Sequence, residues 1–465
     1  MPLLPEDYGD KNAMTETKKT ITYAVTALLL LIAAVLTVPR NVTPDDFLDK
    51  GEQFFPDFTD PNEAASLEVV EYNEDTASAQ PFKVTFKDGI WTIPSHYDYP
   101  ADGKDQLAET AAGVIGLVKS DFRSSNVSDH ETCGVIDPLA QTSSLQGRGK
   151  RITIRDRNDQ VLADLILGRE VEGRSGFRFV RLPDSKRVYI SETPLEISTR
   201  FEDWIEPDLL KAEKDDISEV TLKDYSINER NGTVNMKDTL ALTRKGEDWT
   251  ANRLPAGKEV DSTKMTALLN ALDDLSIVGV RKKPEGLSDS LKKSENVPIS
   301  RENIDSLRSR GFYFTRDGNL LSNEGELLVD TATGLSYTLR FGEVLFGSGE
   351  AVSAGKGEGE ESEEGSGENR YLFITVSFDP SLLPEPPKPA DTAFQEKSAT
   401  EWSDADRRNK ERFDAHLEWE EKASEGRELA EELTERFADW YYVIPSSAFE
   451  KIHIPRQEMV VDKEE

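Results

Sequence analysis

The stretch FKVTFKDGIWTI, residues 82–93, sets the pattern that organises most of this chain. Apolar and polar residues alternate over residues 82–86, a glycine follows, and a second apolar segment with a tryptophan comes directly after it. Alternation with a period of two is typical of a strand with one buried face. Consecutive strands that are joined by short loops favour antiparallel pairing. The stretch therefore predicts the start of an antiparallel sheet.

The same order of features occurs again in LALTRKGEDWT, residues 240–250. In both copies a helical pattern of apolar residues follows, over 107–118 in the first and 265–275 in the second. Asp102 and Asp261 precede these patterns, where an N-cap residue would accept hydrogen bonds from the first free backbone N–H groups. This internal similarity predicts two related units, residues 66–212 and 213–465.

The downstream halves of the two copies also correspond. Each offers four further strand patterns and then a short helical segment. The strand patterns are residues 151–156, 161–168, 176–181 and 186–191 in the first copy, and 326–330, 335–342, 371–377 and 441–445 in the second; the helical segments are 195–204 and 446–452. The predicted fold class is α+β, with two units of mostly antiparallel sheet, each covered by a helix.

Two insertions distinguish the second unit. Residues 347–369 consist largely of Gly, Ser and Glu, so they cannot bury enough apolar area to offset chain entropy and are predicted to be disordered. Residues 380–439 begin with a stiff proline-rich stretch and continue into a helical pattern over 401–440. This pattern predicts one long or broken helix, or a hairpin of two, with Gly426 as a plausible break.

The helical insert is the best functional candidate in the chain, because its narrow apolar stripe could bind a partner. The stripe has two interpretations. The stripe can pack back on its own sheet or on itself. It can also form a partner-binding arm that works in the helix-in-groove or coiled-coil mode. The candidate residues of this arm are Phe413, Leu417, Trp419, Leu429, Leu433 and Phe437.

Residues 21–38, ITYAVTALLLLIAAVLTV, are the long apolar run of the chain and contain no charge and no proline. As a helix the run would span about 27 Å, close to the hydrocarbon thickness of a bilayer. It predicts a single transmembrane anchor, marked by Ile21, Leu28, Leu31 and Val38, that contacts the lipid bilayer. A cleaved signal peptide and a buried helix of a soluble core are the alternatives.

Charges around this run predict its orientation. Lys18 and Lys19 precede it, whereas Arg40 follows it ahead of Asp45 and Asp46. The positive-inside rule then places residues 1–20 in the cytoplasm. The prediction is a single-pass protein of the bacterial inner membrane, with a juxtamembrane linker over 39–65 and a periplasmic C-terminal body.

Composition limits the classes of partner. The chain has 56 Lys and Arg against 89 Asp and Glu, a net charge of −33. Such a surface repels phosphate backbones, so nucleic-acid binding is not expected. Repulsion from anionic lipids predicts that the body stands off the membrane. The single cysteine, Cys133, excludes an intrachain disulfide.

No sequence pattern specifies a reaction. His130 and Cys133 are three residues apart and could offer two metal ligands or a nucleophile and base, but no second pair of ligands and no orienting group accompanies them. A P-loop, a Rossmann fingerprint and a G-x-S-x-G elbow are absent from the sequence. We therefore predict no catalytic residue, no cofactor and no metal.

Several stretches, taken in order, resemble the bacterial domain-of-unknown-function family 4340 in a planctomycete-like membrane-anchored form. The resemblance covers most of residues 14–345 and the final segment, and implies a context rather than a reaction: such domains are often encoded beside, or fused to, proteins similar to the gliding-motility-type ABC transporter auxiliary component. It carries over no catalytic residue. The stretches are TETKKTITYAV at 15–25, GEQFFPDFTDP at 51–61, SLEVVEY at 66–72, GIWTIPSHYDYPAD at 89–102 and LILG at 165–168.

The function expected from these observations is that of a non-enzymatic, membrane-anchored extracytoplasmic accessory or scaffold protein of an ABC-type transport or cell-envelope system. A transporter or envelope subunit would be its partner. An extracytoplasmic binding module for an envelope polysaccharide or peptide is the alternative, and an open cleft between the two units would favour it. A hydrolase is a distant third.

Overall fold

The computed structural model describes residues 16–37, 49–74, 77–141, 144–193, 195, 197–228, 233–293, 300–315, 319–347, 349–355 and 367–463. Two large antiparallel sheets, helices and short 3-10 turns make up these residues. The predicted mixed α+β class with mostly antiparallel sheet is confirmed.

The first sheet has nine strands. They are β1 (Ser66–Asn73), β2 (Ser78–Lys87), β3 (Ile90–Ile93), β4 (Tyr99–Pro100), β5 (Asp121–Ser124), β6 (Lys150–Arg155), β7 (Val161–Val171), β8 (Arg174–Arg181) and β9 (Val188–Glu192). Their order across the sheet is β4-β3-β2-β1-β6-β7-β8-β9-β5. The predicted alternation over residues 82–86 belongs to β2, which pairs with β1 and β3.

The second large sheet has eight strands, in the order β12-β11-β10-β17-β18-β19-β20-β14. Two further strand pairs, β13 with β21 and β15 with β16, stand beside it. The bounds are β10 (Ile217–Asn228), β11 (Thr233–Lys245), β12 (Asp248–Ala251), β13 (Lys258–Val260), β14 (Gly279–Lys282), β15 (Phe312–Phe314), β16 (Leu320–Ser322), β17 (Glu326–Thr331), β18 (Leu335–Phe346), β19 (Glu368–Phe378), β20 (Trp440–Pro445) and β21 (Val460–Asp462).

The two large sheets share one strand order. In each, the first strand, β1 or β10, pairs with the next strand on one side and with β6 or β17 on the other. Four consecutive strands then follow, and the sheet is closed at its edge by an earlier strand, β5 or β14. The one difference is at the opposite edge, where β4 joins the first sheet but β13 pairs with the C-terminal β21.

Ten α-helices occur in the described residues. They are α1 (Glu16–Thr37), α2 (Lys104–Ile115), α3 (Asp129–Cys133), α4 (Ser262–Asp273), α5 (Glu285–Lys292), α6 (Arg301–Arg308), α7 (Gly349–Ser353), α8 (Asp404–Ala438), α9 (Ser446–Ile452) and α10 (Arg456–Met459). Helices α2 and α4 are those that follow the two glycine–tryptophan stretches, and each buries an apolar stripe in the core.

The two predicted N-caps have different outcomes. The Asp261 side chain accepts hydrogen bonds from the backbone N–H groups of Thr263 and Lys264 and caps α4. The N-cap of α2 is Gly103, which has no side-chain bond, so the prediction for Asp102 is wrong. The backbone N–H of Asp102 instead donates to the Trp204 carbonyl at 2.9 Å, because the chain around Trp204 packs directly against the start of α2.

The helix predicted over residues 195–204 is also wrong. Residues 197–200 lie outside any helix or strand, and Phe201–Trp204 forms a single 3-10 turn. Both aromatic side chains of this turn are buried, and the Trp204 Nε1–H donates to the Ser198 carbonyl at 2.9 Å. The segment is a connection between the sheets whose conformation is fixed by the core rather than by helical hydrogen bonds.

Helix α8 is one unbroken helix, so the break considered at Gly426 does not occur. Gly426 is buried, and a Cβ atom there would lie 2.7 Å from the Thr333 carbonyl oxygen and 2.9 Å from the Phe378 ring. A side chain is excluded at this position because the helix crosses β19 and the turn before β18 at close range. The glycine therefore permits close packing and does not interrupt the helix.

The described part of the insertion 347–369 does not match the predicted disorder. Gly349–Ser353 forms α7, whose Val352 is buried, and β19 begins at Glu368. Arg281 donates hydrogen bonds to the carbonyl groups of Ala351 and Val352 and holds α7 against β14. Residues 348 and 356–366, which carry most of the Gly–Glu pattern, lie outside the described residues.

One cluster of buried apolar side chains extends through both sheets. At their junction the Tyr99 ring packs edge-on against Trp440, with the ring centroids 4.9 Å apart. The Tyr337 hydroxyl donates to the Leu210 carbonyl at 2.8 Å, which ties the connection between the sheets to β18. Phe54 and Phe58 are also buried in this cluster, so the described part of the predicted linker, residues 49–65, packs onto the first sheet.

Candidate functional site

The predicted anchor coincides with helix α1. Ile21, Leu28 and Leu31 lie in this helix with exposed side chains, and Val38 lies outside the described residues. The Thr22 and Thr26 hydroxyls donate to carbonyl groups one turn earlier, so these polar groups are satisfied within the helix. In the portions of the chain that the structure describes, no helix combines the length and the apolar character needed to cross a bilayer.

The C-terminal half of α8 packs against the second sheet. Leu433 and Phe437 are fully buried in the shared core, and Leu429 is half-buried against it. Phe437 lies edge-on to Tyr442 of β20, with ring centroids 6.0 Å apart. These three candidate arm residues therefore stabilise the body of the protein, and Leu433 and Phe437 are not accessible to a partner.

The N-terminal half of α8 is covered by the proline-rich segment that precedes it. The Phe413 ring lies 5.7 Å from that of Phe394, and the Trp419 Nε1–H donates to the Leu383 carbonyl at 2.9 Å. Leu417 is the candidate arm residue that remains exposed, with 47% of its surface accessible. The stripe thus divides into a buried half, two residues covered by the chain's own insert and one exposed leucine.

The start of α8 is fixed by a capping box. Ser403 accepts a hydrogen bond from the Asp406 backbone N–H, and the Asp406 carboxylate accepts one from the Ser403 backbone N–H. Lys397 pairs with the same carboxylate at 2.8 Å. These hydrogen bonds, that from Lys397 first, lower the pKa of Asp406 to about 2. The N-terminus of α8 is therefore fixed by residues of the insert.

A recess of about 440 Å³ lies at the junction of the two sheets. Near it the Tyr97 hydroxyl donates to the Ala354 carbonyl at 2.8 Å, and the His96 ring stacks on Phe201 at 4.3 Å. The lining combines apolar and polar side chains, and among the polar ones Arg200 and Glu202 are paired at 2.9 Å. Its walls include Phe82, His96 and Phe201 from the first unit and Val278, Val352 and Asn369 from the second.

His130 and Cys133 do not form a reactive pair. His130 Nε2–H donates to the Lys186 carbonyl at 3.0 Å, and burial lowers the pKa of the histidine. Cys133 is buried beside Arg123, and burial raises the pKa of its thiol. A raised thiol pKa disfavours the thiolate that either a nucleophile or a metal ligand requires. Among the described residues, no group of three or more His, Cys, Asp or Glu side chains is placed to hold a metal ion.

A buried lysine, Lys283, is the most perturbed cation that the sequence pattern did not predict. Its side chain is 3% exposed, and its Nζ donates to the Phe437 carbonyl at 2.8 Å and lies 3.8 Å from the centre of the Phe373 ring. Burial holds the pKa of Lys283 well below its usual range, although Asp439 opposes the shift. Lys283 thereby satisfies a carbonyl at the C-terminus of α8, a structural role.

Comparison with known proteins supplies one match. Residues 91–290 match the model of the family described as Domain of unknown function (DUF4340). No curated protein and no solved structure matches the chain. The matched range begins in β3 and ends in α5, so it includes parts of both sheets. Residues 91–290 of this chain are therefore similar to the family of domains of unknown function that bears the number 4340.

Proposed function

We propose that this chain is a non-enzymatic accessory or scaffold protein, held in the bacterial inner membrane by residues 21–38 and serving an ABC-type transport or cell-envelope system. The observation that carries the proposal is the exposure of α1. The helix has exposed side chains at every position from 20 to 32, including four consecutive leucines at 28–31. Apolar side chains on all sides of a helix are costly in water, and a lipid environment removes that cost.

The charges that flank the run support an orientation with the body outside the cytoplasm. Lys18 and Lys19 lie on the N-terminal side, whereas Asp45 and Asp46 soon follow the run on the other side. The strongly acidic composition of the chain is consistent with a body that lies in the aqueous periplasm. The link to a transporter is supported by the family resemblance, in which such domains accompany transporter auxiliary components.

The surface proposed for the partner subunit is the exposed face of the N-terminal half of α8, around Leu417. This half lies away from the sheet, and Arg407, Arg408 and Arg412 are exposed along it. The residues one turn away from Leu417 on the same face include Asp414, Glu420 and Glu421. Leu417 therefore offers an apolar contact with a charged, acidic rim, the arrangement of a helix that docks in a groove.

The test is affinity purification of the full-length chain from detergent-solubilised membranes. Leu417→Glu is compared with Ala415→Glu, because Ala415 is also exposed but lies about 200° around the helix from Leu417. We expect wild type and Ala415→Glu to retain a transporter or envelope subunit and Leu417→Glu to lose it. A wild-type chain that is purified alone contradicts the scaffold proposal.

The membrane location is tested separately. Washing membranes with alkaline carbonate should leave the full-length chain in the pellet, and a phosphatase reporter fused at the C-terminus should be active only if the body is periplasmic. Release by carbonate contradicts the anchor. An inactive reporter on a chain that stays in the membrane contradicts the orientation alone.

A second candidate function, an extracytoplasmic binding module, is favoured by the recess at the junction of the two sheets. A lining that combines aromatic rings with several polar groups suits a sugar ring or a polar peptide side chain. The packing of Tyr99 on Trp440 argues against a wide cleft, since the sheets are in direct contact beside the recess. Titration with envelope oligosaccharides and peptides, followed by loss of binding in Arg200→Glu, would support this function over the scaffold.

A further inference from the structure

Asp49 fixes the N-terminal end of the folded body to the first sheet through contacts with Tyr189, Lys119 and Arg187, and we call this group of four residues the clamp. The Asp49 carboxylate accepts a hydrogen bond from the Tyr189 hydroxyl and lies 3.5 Å from both Lys119 and Arg187. The segment 39–48, which separates this clamp from the apolar run, can span at most about 35 Å when fully extended. The surface around Asp49 is therefore the part of the body that the chain keeps within reach of the bilayer.

A loop beside this clamp is joined to it by the turn between β8 and β9. Within that turn, Arg187 contacts Asp49, and the carbonyl of the preceding Lys186 accepts a hydrogen bond from His130 in α3. The Arg181 guanidinium donates to the Val135 carbonyl at 2.8 Å, just beyond α3. The turn between β8 and β9 therefore contacts Asp49 on one side and the residues around α3 on the other.

The chain after α3 is wound around the guanidinium of Arg148. Three carbonyl groups, those of Asp137, Pro138 and Ala140, accept hydrogen bonds from its Nη1 at 3.2, 2.9 and 2.9 Å. The Nε–H donates to the Ser144 carbonyl at 3.2 Å, and the guanidinium lies over the Tyr72 ring at 4.2 Å. A single half-buried guanidinium therefore fixes the chain over residues 137–140 and again at Ser144.

This fixed loop exposes large apolar side chains. Leu139 and Leu145 project from it with 54% and 48% of their surfaces accessible, and Val127, on the turn before α3, is 55% exposed. Gly147 lies against the backbone of Glu131, which brings the loop next to α3. Leu139 and Leu145 are thus exposed apolar side chains on a loop that the fold fixes, and Val127 is exposed on the turn that leads into the neighbouring helix.

Charge near the clamp is nearly balanced, in contrast to the net charge of −33 for the chain. Asp121 is paired with Lys50 at 2.6 Å and with Arg174 at 2.9 Å. Asp49 is similarly placed between Lys119 and Arg187. Repulsion from anionic lipid headgroups is therefore weaker here than over an acidic surface.

We propose that Val127, Leu139 and Leu145 form a membrane-facing surface that rests in the headgroup region of the bilayer in which α1 is anchored. The proposal rests on the anchor of the proposed function and adds a second, peripheral contact to it. Shallow burial of a few apolar side chains beside a tether is favourable because the tether removes most of the cost of association. The body then has one fixed orientation above the membrane.

The test places one fluorophore at a time on the full-length chain in vesicles of phosphatidylethanolamine and phosphatidylglycerol. Leu139→Cys and Leu145→Cys report on the surface, and Leu417→Cys, exposed on α8, is the matched control. The native Cys133 is buried, so the wild-type chain should remain unlabelled and serves as the background. Lipids that carry a quencher near the headgroup should quench the two loop labels several-fold more strongly than the control. Thermal unfolding of each labelled variant checks that the fold is kept.

Each other outcome overturns the proposal in a distinguishable way. Loop labels that are quenched no more than the control, on a chain that sediments with the vesicles, overturn the membrane-facing surface and leave the anchor intact. Equal strong quenching at all three sites shows that the body has no preferred face, which also overturns it. A chain that does not sediment with the vesicles overturns the anchor and this surface together.

Discussion

Gly426 is a helix-interior glycine with a packing role. In an exposed helix, replacing glycine by alanine stabilises by about 1 kcal/mol. At Gly426 we expect the reverse, because the new Cβ would lie 2.7 Å from the Thr333 carbonyl oxygen, and overpacking costs about 1–3 kcal/mol. Urea unfolding of Gly426→Ala should therefore show a lower free energy of unfolding than wild type.

The matched control is Ala415→Gly, at an exposed position of the same helix. It should lose only the intrinsic propensity of about 1 kcal/mol. If Gly426→Ala proves more stable than wild type, α8 is not in close contact with the turn before β18, and the packing described above is incorrect.

The burial of Lys283 predicts how the free energy of unfolding changes with pH. Burial lowers its pKa in the folded state, so between that lowered pKa and the ordinary lysine pKa of 10.5 the unfolded chain binds more protons than the folded one. Stability from this group therefore rises as pH increases through that window. Lys283→Met keeps the volume and removes the titration, so its free energy of unfolding should depend less steeply on alkaline pH than that of wild type. Parallel curves for the two proteins would show that Lys283 does not titrate abnormally.

The role of a single residue was predictable from sequence where it depends on residues nearby in the chain, and unpredictable where it depends on tertiary contacts. Asp261 was found from sequence because an N-cap depends on residues within one turn. Asp102 failed the same argument because Trp204, a hundred residues later, determines how α2 begins. Lys283 carried no signal at all, since a lysine next to a short strand is usually exposed.

The two halves of α8 have different environments, one buried in the core and one exposed. Phe437→Ala removes a fully buried ring from the core and should cost about 3–5 kcal/mol of unfolding free energy. Leu417→Ala, on the exposed half of the same helix, should change it by less than about 0.5 kcal/mol. Denaturant titration of the two variants measures the difference, and equal losses would contradict the division of the helix into a buried and an exposed half.

The long strands were predictable because each carries either an alternating pattern or a continuous apolar run. β18 alternates over most of its length, whereas β7 and β19 each contain four consecutive buried residues, at 165–168 and 371–374. The edge strands β5 and β14 have four residues each, too few to show a period, and they exist because β9 and β20 offer them a partner. The connection over 197–204 looked helical in sequence, but its aromatic residues are fixed by the junction of the sheets. The helix of the candidate arm was predictable from its apolar spacing, but which half of the helix the rest of the chain would cover was not.

For the whole molecule, the shared core predicts that the two sheets unfold together. Apolar residues from both belong to one buried cluster, and Tyr99 contacts Trp440 across the junction. Calorimetry of the wild-type chain should show one main transition. Trp440→Ala should cost about 3–5 kcal/mol and broaden that transition or divide it in two.

The control is Trp402→Ala, which removes an indole that contacts the insert rather than the junction. It should leave a single transition. Two well-separated transitions in the wild-type chain would contradict the shared core.

The position of the family match within the shared strand order has a practical consequence for anyone who wishes to express this domain. A fragment cut at residues 91 and 290 would lose β1 and β2 from the middle of the first sheet and everything after α5 from the second. The remaining strands β3, β6, β10 and β14 would each lose a hydrogen-bonding neighbour, and the exposed strand edges should make the fragment aggregate. Gene synthesis and crystallisation trials are better begun at residue 49, ahead of the buried phenylalanines, and continued to residue 463.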